Sequence, residues 1–229
     1  MKTLISRVLA APIIVIAPLL FFITFLLGGC GEPKNKQRAV YLLLDTSGTY
    51  SEELNKAQLI MNYLLATLDS GDSIAIARID SGSFSEKDII GKATFDERPS
   101  TTNSQKRLFK EKIDTFVKNL ERGSTHTDIS GAVLQATEYL YETGAGEKNI
   151  LIFSDLEEDL VKGHIRDFKI PLDGINVVAL NVTKLRSDNV DPREYLQRLG
   201  QWQSRVEEGG GQWRVINDLD RLDSLMVQY

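Results

Sequence analysis

Cysteine is almost absent: Cys30 is the only one in 229 residues. A single thiol excludes an intrachain disulfide and any zinc site built on cysteine. An excess of positive charge is missing too. The formal net charge is −5 and turns two units more negative when Met1 to Gly29, whose only charged side chains are Lys2 and Arg7, are set aside. Such a chain is not a non-specific nucleic-acid binder. The sequence also lacks a Gly-x-x-x-x-Gly-Lys loop, a Gly-x-Gly-x-x-Gly run after its first strand and a Gly-x-Ser-x-Gly elbow, which removes three common phosphate-binding and hydrolytic designs. There is no internal repeat, and nothing beyond Gly209-Gly210-Gly211 is low in complexity.

What is present is a regular alternation of apolar segments. Val40 to Leu44 is continuously apolar, the pattern of a strand covered on both faces, and it ends in Asp45-Thr46-Ser47-Gly48-Thr49. Leu54, Ala57, Met61, Leu64, Leu65 and Leu68 recur at helical spacing, and Gly71-Asp72 closes that helix before a strand at Ser73 to Ile79. Ile89 to Phe95 reads as an edge strand. Helices follow around Phe109 to Leu120 and Ile129 to Leu140, with strands at Asn149 to Phe153 and Ile175 to Leu180. A helix from Tyr195 to Val206, a strand at Trp213 to Ile216 and a helix at Leu219 to Val227 complete the chain. The expected architecture is α/β, a doubly wound and mostly parallel sheet with one antiparallel edge strand, over residues 39–229.

Residues 1–29 have a different character. A basic head, Met1 to Arg7, precedes Val8 to Leu27, which is nearly all apolar. This is the pattern of a secretory signal, and about 20 apolar residues also suffice for an uncleaved membrane helix. Leu27-Gly28-Gly29-Cys30 resembles the lipobox of bacterial lipoproteins, which implies cleavage before Cys30 and lipidation of its thiol. Either way a membrane anchor is expected, followed by a short polar tether through residue 38. Gly31, where many inner-membrane lipoproteins carry aspartate, favours the outer membrane of the cell envelope.

In a doubly wound sheet, ligands bind beyond the carboxyl ends of the strands where strand order reverses. Three loops are expected to meet there. One brings Asp45, Ser47 and Thr49; one runs from Gly123 to Asp128 and opens the helix at Ile129; one brings Asp155 after Phe153. Hydroxyls and carboxylates without sulfur or imidazole suit a hard divalent cation, magnesium or manganese rather than zinc. Each residue also has a plain structural role available: Asp45 and Ser47 as caps of the next helix, Asp128 as the N-cap at Ile129, Glu157 to Asp159 at a helix N-terminus or in solvent, Trp202 and Trp213 in the core.

Asp45-x-Ser47-x-Thr49, then Thr127 at a helix start, then Asp155 after an apolar strand, is similar to the metal-ion-dependent adhesion site of von Willebrand factor A domains. The resemblance covers the chain after the tether, with Thr49 standing where the family usually has serine. It implies Ser47, Thr49 and Thr127 as hydroxyl ligands, with Asp45 and Asp155 binding directly or through metal-bound waters. Thr125 is a rival for Thr127. The implied function is cation-dependent binding of a protein partner that offers an acidic side chain, with no catalysis and no nucleic acid. Two other readings stand beside it. Asp45 to Thr49 and Asp155-x-x-x-Asp159 also look like haloacid-dehalogenase phosphatases, but Ser47 occupies the place of their second aspartate, the general acid/base. The other is a scaffold domain of the same fold with a degenerate metal site.

Overall fold

The computed structural model describes residues 35–47, 53–120 and 123–219, with Leu54 described by its backbone alone. The chain divides into two units, Met1–Lys34 and Asn35–Tyr229. The first, with the apolar stretch and Cys30, lies outside the described residues, as do Thr49 and the expected last helix beyond Leu219. Among the described residues no helix is long and apolar enough to cross a membrane.

The second unit holds six strands and four α-helices among its described residues. In chain order they are β1 (Arg38–Asp45), α1 (Leu54–Thr67), β2 (Ser73–Ile79), β3 (Ile89–Thr94), α2 (Pro99–Lys118), α3 (Ile129–Glu142), β4 (Glu147–Phe153), β5 (Ile175–Leu180), α4 (Pro192–Glu208) and β6 (Gln212–Ile216). The strands lie in the order β3-β2-β1-β4-β5-β6. All neighbours are parallel except β2 and β3. The expected sheet with its antiparallel edge strand is therefore what forms.

Alternate side chains of each strand serve opposite faces, and the two faces bury separate cores. Tyr41, Leu43, Ala77, Ile150, Ile152 and Val177 pack with Val133, Ala136 and Leu140 of α3 and Trp202 and Val206 of α4. Val40, Leu42, Leu44, Ile76, Leu151 and Phe153 pack with Ile60, Met61 and Leu64 of α1 and Phe109 and Ile113 of α2. Burial on both faces explains the unbroken apolar run of β1, where every residue from Ala39 to Asp45 is buried.

One element differs from expectation. α2 begins at Pro99, ten residues before its first periodic apolar side chain. Its polar first half is anchored by contacts rather than by pattern. Proline occupies the first turn, the Thr102 hydroxyl donates to the Asp96 carbonyl at 2.5 Å, and Gln105 accepts from the Asp96 N–H at 2.8 Å.

Candidate metal centre

Strand order reverses between β1 and β4, since the chain leaves β1 toward β2 on one side and β4 continues toward β5 on the other. Asp45 ends β1, and Ser154-Asp155 follows β4. Both aspartates are buried, at 0% and 4% exposure. Asp45 is held rigidly: Oδ1 accepts from the Ser47 N–H at 2.8 Å and Oδ2 accepts from the Ser154 hydroxyl at 2.7 Å. The same Ser154 Oγ accepts from the Leu156 N–H at 3.0 Å. Leu156 is a buried residue in the left-handed region, φ 67°, and its carbonyl accepts from the Trp202 indole at 3.1 Å. This turn aims Asp155 at the rim, where Oδ1 accepts from the Glu157 N–H at 2.9 Å.

The middle loop joins both sides. The Ser124 N–H donates to the Thr46 carbonyl at 2.8 Å, making a bridge between Ser47 and Ser124. Thr127 and Asp159 exchange two backbone hydrogen bonds, at 2.8 and 3.0 Å. Thr127 itself is 5% exposed. Thus Asp45, Ser47, Thr127 and Asp155 are brought to one end of the sheet by mutually bonded loops, while Thr49 lies outside the described residues. Asp128 is the N-cap of α3, accepting from the Gly131 N–H at 2.8 Å. The N-cap position of α1 is Glu53, and the partners of Asp45 among the described residues are Ser47 and Ser154.

Electrostatics set these carboxylates apart. Burial pushes the Asp155 carboxyl up to about 6, and the charge of Asp45 adds to the rise against the Glu157 N–H and the nearby Arg198 cation. Among the described residues no basic side chain forms an ion pair with either aspartate. No group of three His, Cys, Asp or Glu side chains is arranged to hold a metal among those residues either. The donors on offer are two carboxylates and neighbouring hydroxyls. That oxygen set fits a hard cation, whose charge would offset the repulsion between the aspartates.

Comparison with known proteins bears on the fold. No protein-family model matches the chain, and no curated protein matches it. Among solved structures it is similar to a von Willebrand factor type A protein from Catenulispora acidiphila, with TM-score 0.52 and 11% identity. The fold is that of a von Willebrand factor A domain. The match covers 82% of this chain but only 41% of that one. Weaker likenesses, both at TM-score 0.44, are to an aerotolerance-related membrane protein from Bacteroides fragilis and to BatB from Bacteroides thetaiotaomicron. The first is 15% identical, over 83% of this chain and 96% of that one; the second is 16% identical, over 82% and 94%.

Within this von Willebrand A fold, several rim residues escape a reading of the sequence. Ser154 is the hydroxyl partner of Asp45. Asp80 directly follows β2, near the place where Asp45 ends β1, and its Oδ1 accepts from the Ser124 hydroxyl at 2.6 Å. The signal for Asp80 is there in retrospect: Asp80-Ser81-Gly82-Ser83 follows an apolar strand as Asp45-Thr46-Ser47-Gly48 does. Glu158, expected at a helix N-terminus or in solvent, does accept from the Ser130 N–H at 2.7 Å, at the first turn of α3. Asp159 instead faces His126, Oδ2 to Nδ1 at 3.0 Å.

Proposed function

We propose that this chain is a membrane-tethered protein-binding module that takes a divalent cation, magnesium or manganese, at the rim and engages an acidic side chain of another protein through it. The observation that carries this reading is the pair of buried aspartates, Asp45 at the end of β1 and Asp155 just after β4, the two strands that flank the reversal in strand order. Two like charges held together with no basic partner among the described residues are unfavourable at neutral pH, and a cation that joins them removes that cost. Ser47, Thr49 and Thr127 would supply hydroxyl ligands, with Asp45 and Asp155 binding directly or through water. A cation neutralised by few carboxylates retains positive charge and accepts a further carboxylate from a partner. Asp45, with each oxygen already accepting a hydrogen bond, would serve as a ligand or hold a metal-bound water, and no catalytic step is assigned to it. The module would be lipidated at Cys30 and held at the bacterial cell envelope, facing the periplasm or exterior from the outer membrane.

The test is calorimetric titration of the full chain, in detergent, with magnesium and manganese, beside Asp45→Ala and an assay of phosphate-ester hydrolysis. Saturable binding weakened at least about a hundredfold in the variant, without hydrolysis, is the expected result. Cation-dependent hydrolysis abolished by Asp45→Ala would instead make the protein an aspartyl-phosphate phosphatase.

A further inference from the structure

We infer that Arg166 is a positioning residue for the candidate metal centre, acting on Thr127 through Asp128; the inference rests on the cation reading above. The crossover from β4 to β5, residues 154–174, is where a parallel sheet ordinarily places a helix. Here it contains no helix and no strand beyond the single bridge to Thr127. A connection of this length without regular structure holds a fixed path only where side chains tie it down.

The ties converge on the first turn of α3. Arg166 donates from Nε to both oxygens of Asp128, at 3.0 and 3.1 Å, and from Nη2 to Oδ2 at 2.6 Å. Asp128 is 1% exposed, caps α3, and donates its own N–H to the Asp80 carbonyl at 3.1 Å. Arg205 of α4 completes the clasp by donating to the Arg166 carbonyl and the Ser130 hydroxyl. Thr127 stands between two fixed points. On one side is its double hydrogen bond to Asp159, which belongs to the crossover; on the other is Asp128, gripped by Arg166 from the same crossover. The crossover thus grips the Thr127–Asp128 peptide at both residues. A guanidinium fork, unlike an ammonium, fixes the plane of the carboxylate it holds. Residues behind metal ligands set ligand orientation, and their loss commonly costs ten- to a hundredfold in affinity.

The experiment compares the full-length protein with Arg166→Gln and with the double variant Arg166→Gln/Asp128→Asn, which leaves no stranded charge and retains a capping oxygen. Two quantities are read: magnesium affinity by calorimetry, and amide hydrogen exchange without metal. In both variants we expect magnesium affinity to fall about tenfold. Exchange at the Thr127 and Asp159 amides should accelerate while β1 and β4 amides keep their protection. Unchanged affinity in Arg166→Gln overturns the positioning role even if exchange accelerates. So does full recovery of affinity in the double variant, which would assign the loss to an unpaired buried charge. Exchange that accelerates equally in β1 and β4 also overturns it, as a global loss of stability. Absence of magnesium binding in the unaltered protein is a different failure, since it removes the cation reading and this inference with it.

Discussion

The two ends of the sheet treat buried carboxylates in opposite ways. At the amino end, Asp72 is 3% exposed and lies against Arg38, whose backbone N–H and Nε donate to it at 2.8 and 2.9 Å. The Asp69 N–H adds a third bond at 2.8 Å, and the same guanidinium reaches the Thr67 carbonyl at 2.6 Å. That carboxylate is compensated, and its role is to lock β1 to the turn before β2. At the carboxyl end, Asp45 and Asp155 are as deeply buried but pair with no cation among the described residues. Burial of an acidic group therefore does not mark a site here. Burial with no counter-charge among the described residues is what sets the proposed site apart, and the distinction needs only the ion pairs.

Removing the counter-charge at the amino end is the most severe way to probe this contrast. Arg38→Met strands Asp72 and should lower unfolding free energy by about 3 to 5 kcal/mol in urea titrations, with cation affinity at the other end unchanged. A small change would mean that Asp72 does not need Arg38 and that the contrast is false. At the carboxyl end the sign reverses. The Asp155 carboxyl is raised from 3.8 to about 6 in the folded state, so the stability linked to its protonated form is fully present below about pH 4 and lost as pH rises through 6. Asp155→Asn should accordingly stabilise the metal-free protein by about 3 kcal/mol at pH 8 and by almost nothing at pH 4, as measured by urea unfolding in chelator. With saturating magnesium the unaltered protein should gain stability and the variant little. The smallest effect belongs to an exposed pair. Arg193 and Asp191 are joined at 2.7 Å on the surface of α4, with 88% of the arginine side chain exposed. Arg193→Ala should leave the unfolding midpoint within error, because solvent already screens that charge.

How much could be read in advance follows from the range over which each signal acts. β1, β4 and β5 were legible because burial on two faces writes an unbroken apolar run into a few consecutive residues. The rim residues Asp45, Ser47 and Asp155 were legible as a group because each directly follows such a run. The start of α2 was not, since Pro99 to Arg107 carry almost no apolar period and are held by contacts to Asp96. Nor was the crossover: Lys162 to Pro171 offers neither a helical nor an alternating period, and its course depends on Arg166 meeting Asp128, 38 residues earlier. An ion pair at that separation leaves no local trace. The match between Ser154 and Asp45, 109 residues apart, is hidden for the same reason.

β1 carries a mechanical consequence. The chain enters this strand at Arg38, and the candidate site lies at its other end, roughly 25 Å away. A pull between a partner seated on the rim and whatever holds the chain ahead of Arg38 would run along β1. That strand is clamped on both sides by parallel ladders, to β2 from Ala39 through Asp45 and to β4 from Arg38 through Leu44. Force along the strand loads those bonds together in shear instead of peeling them one by one. The central strand that delivers Asp45 is thus also the part of the domain best suited to bear tension.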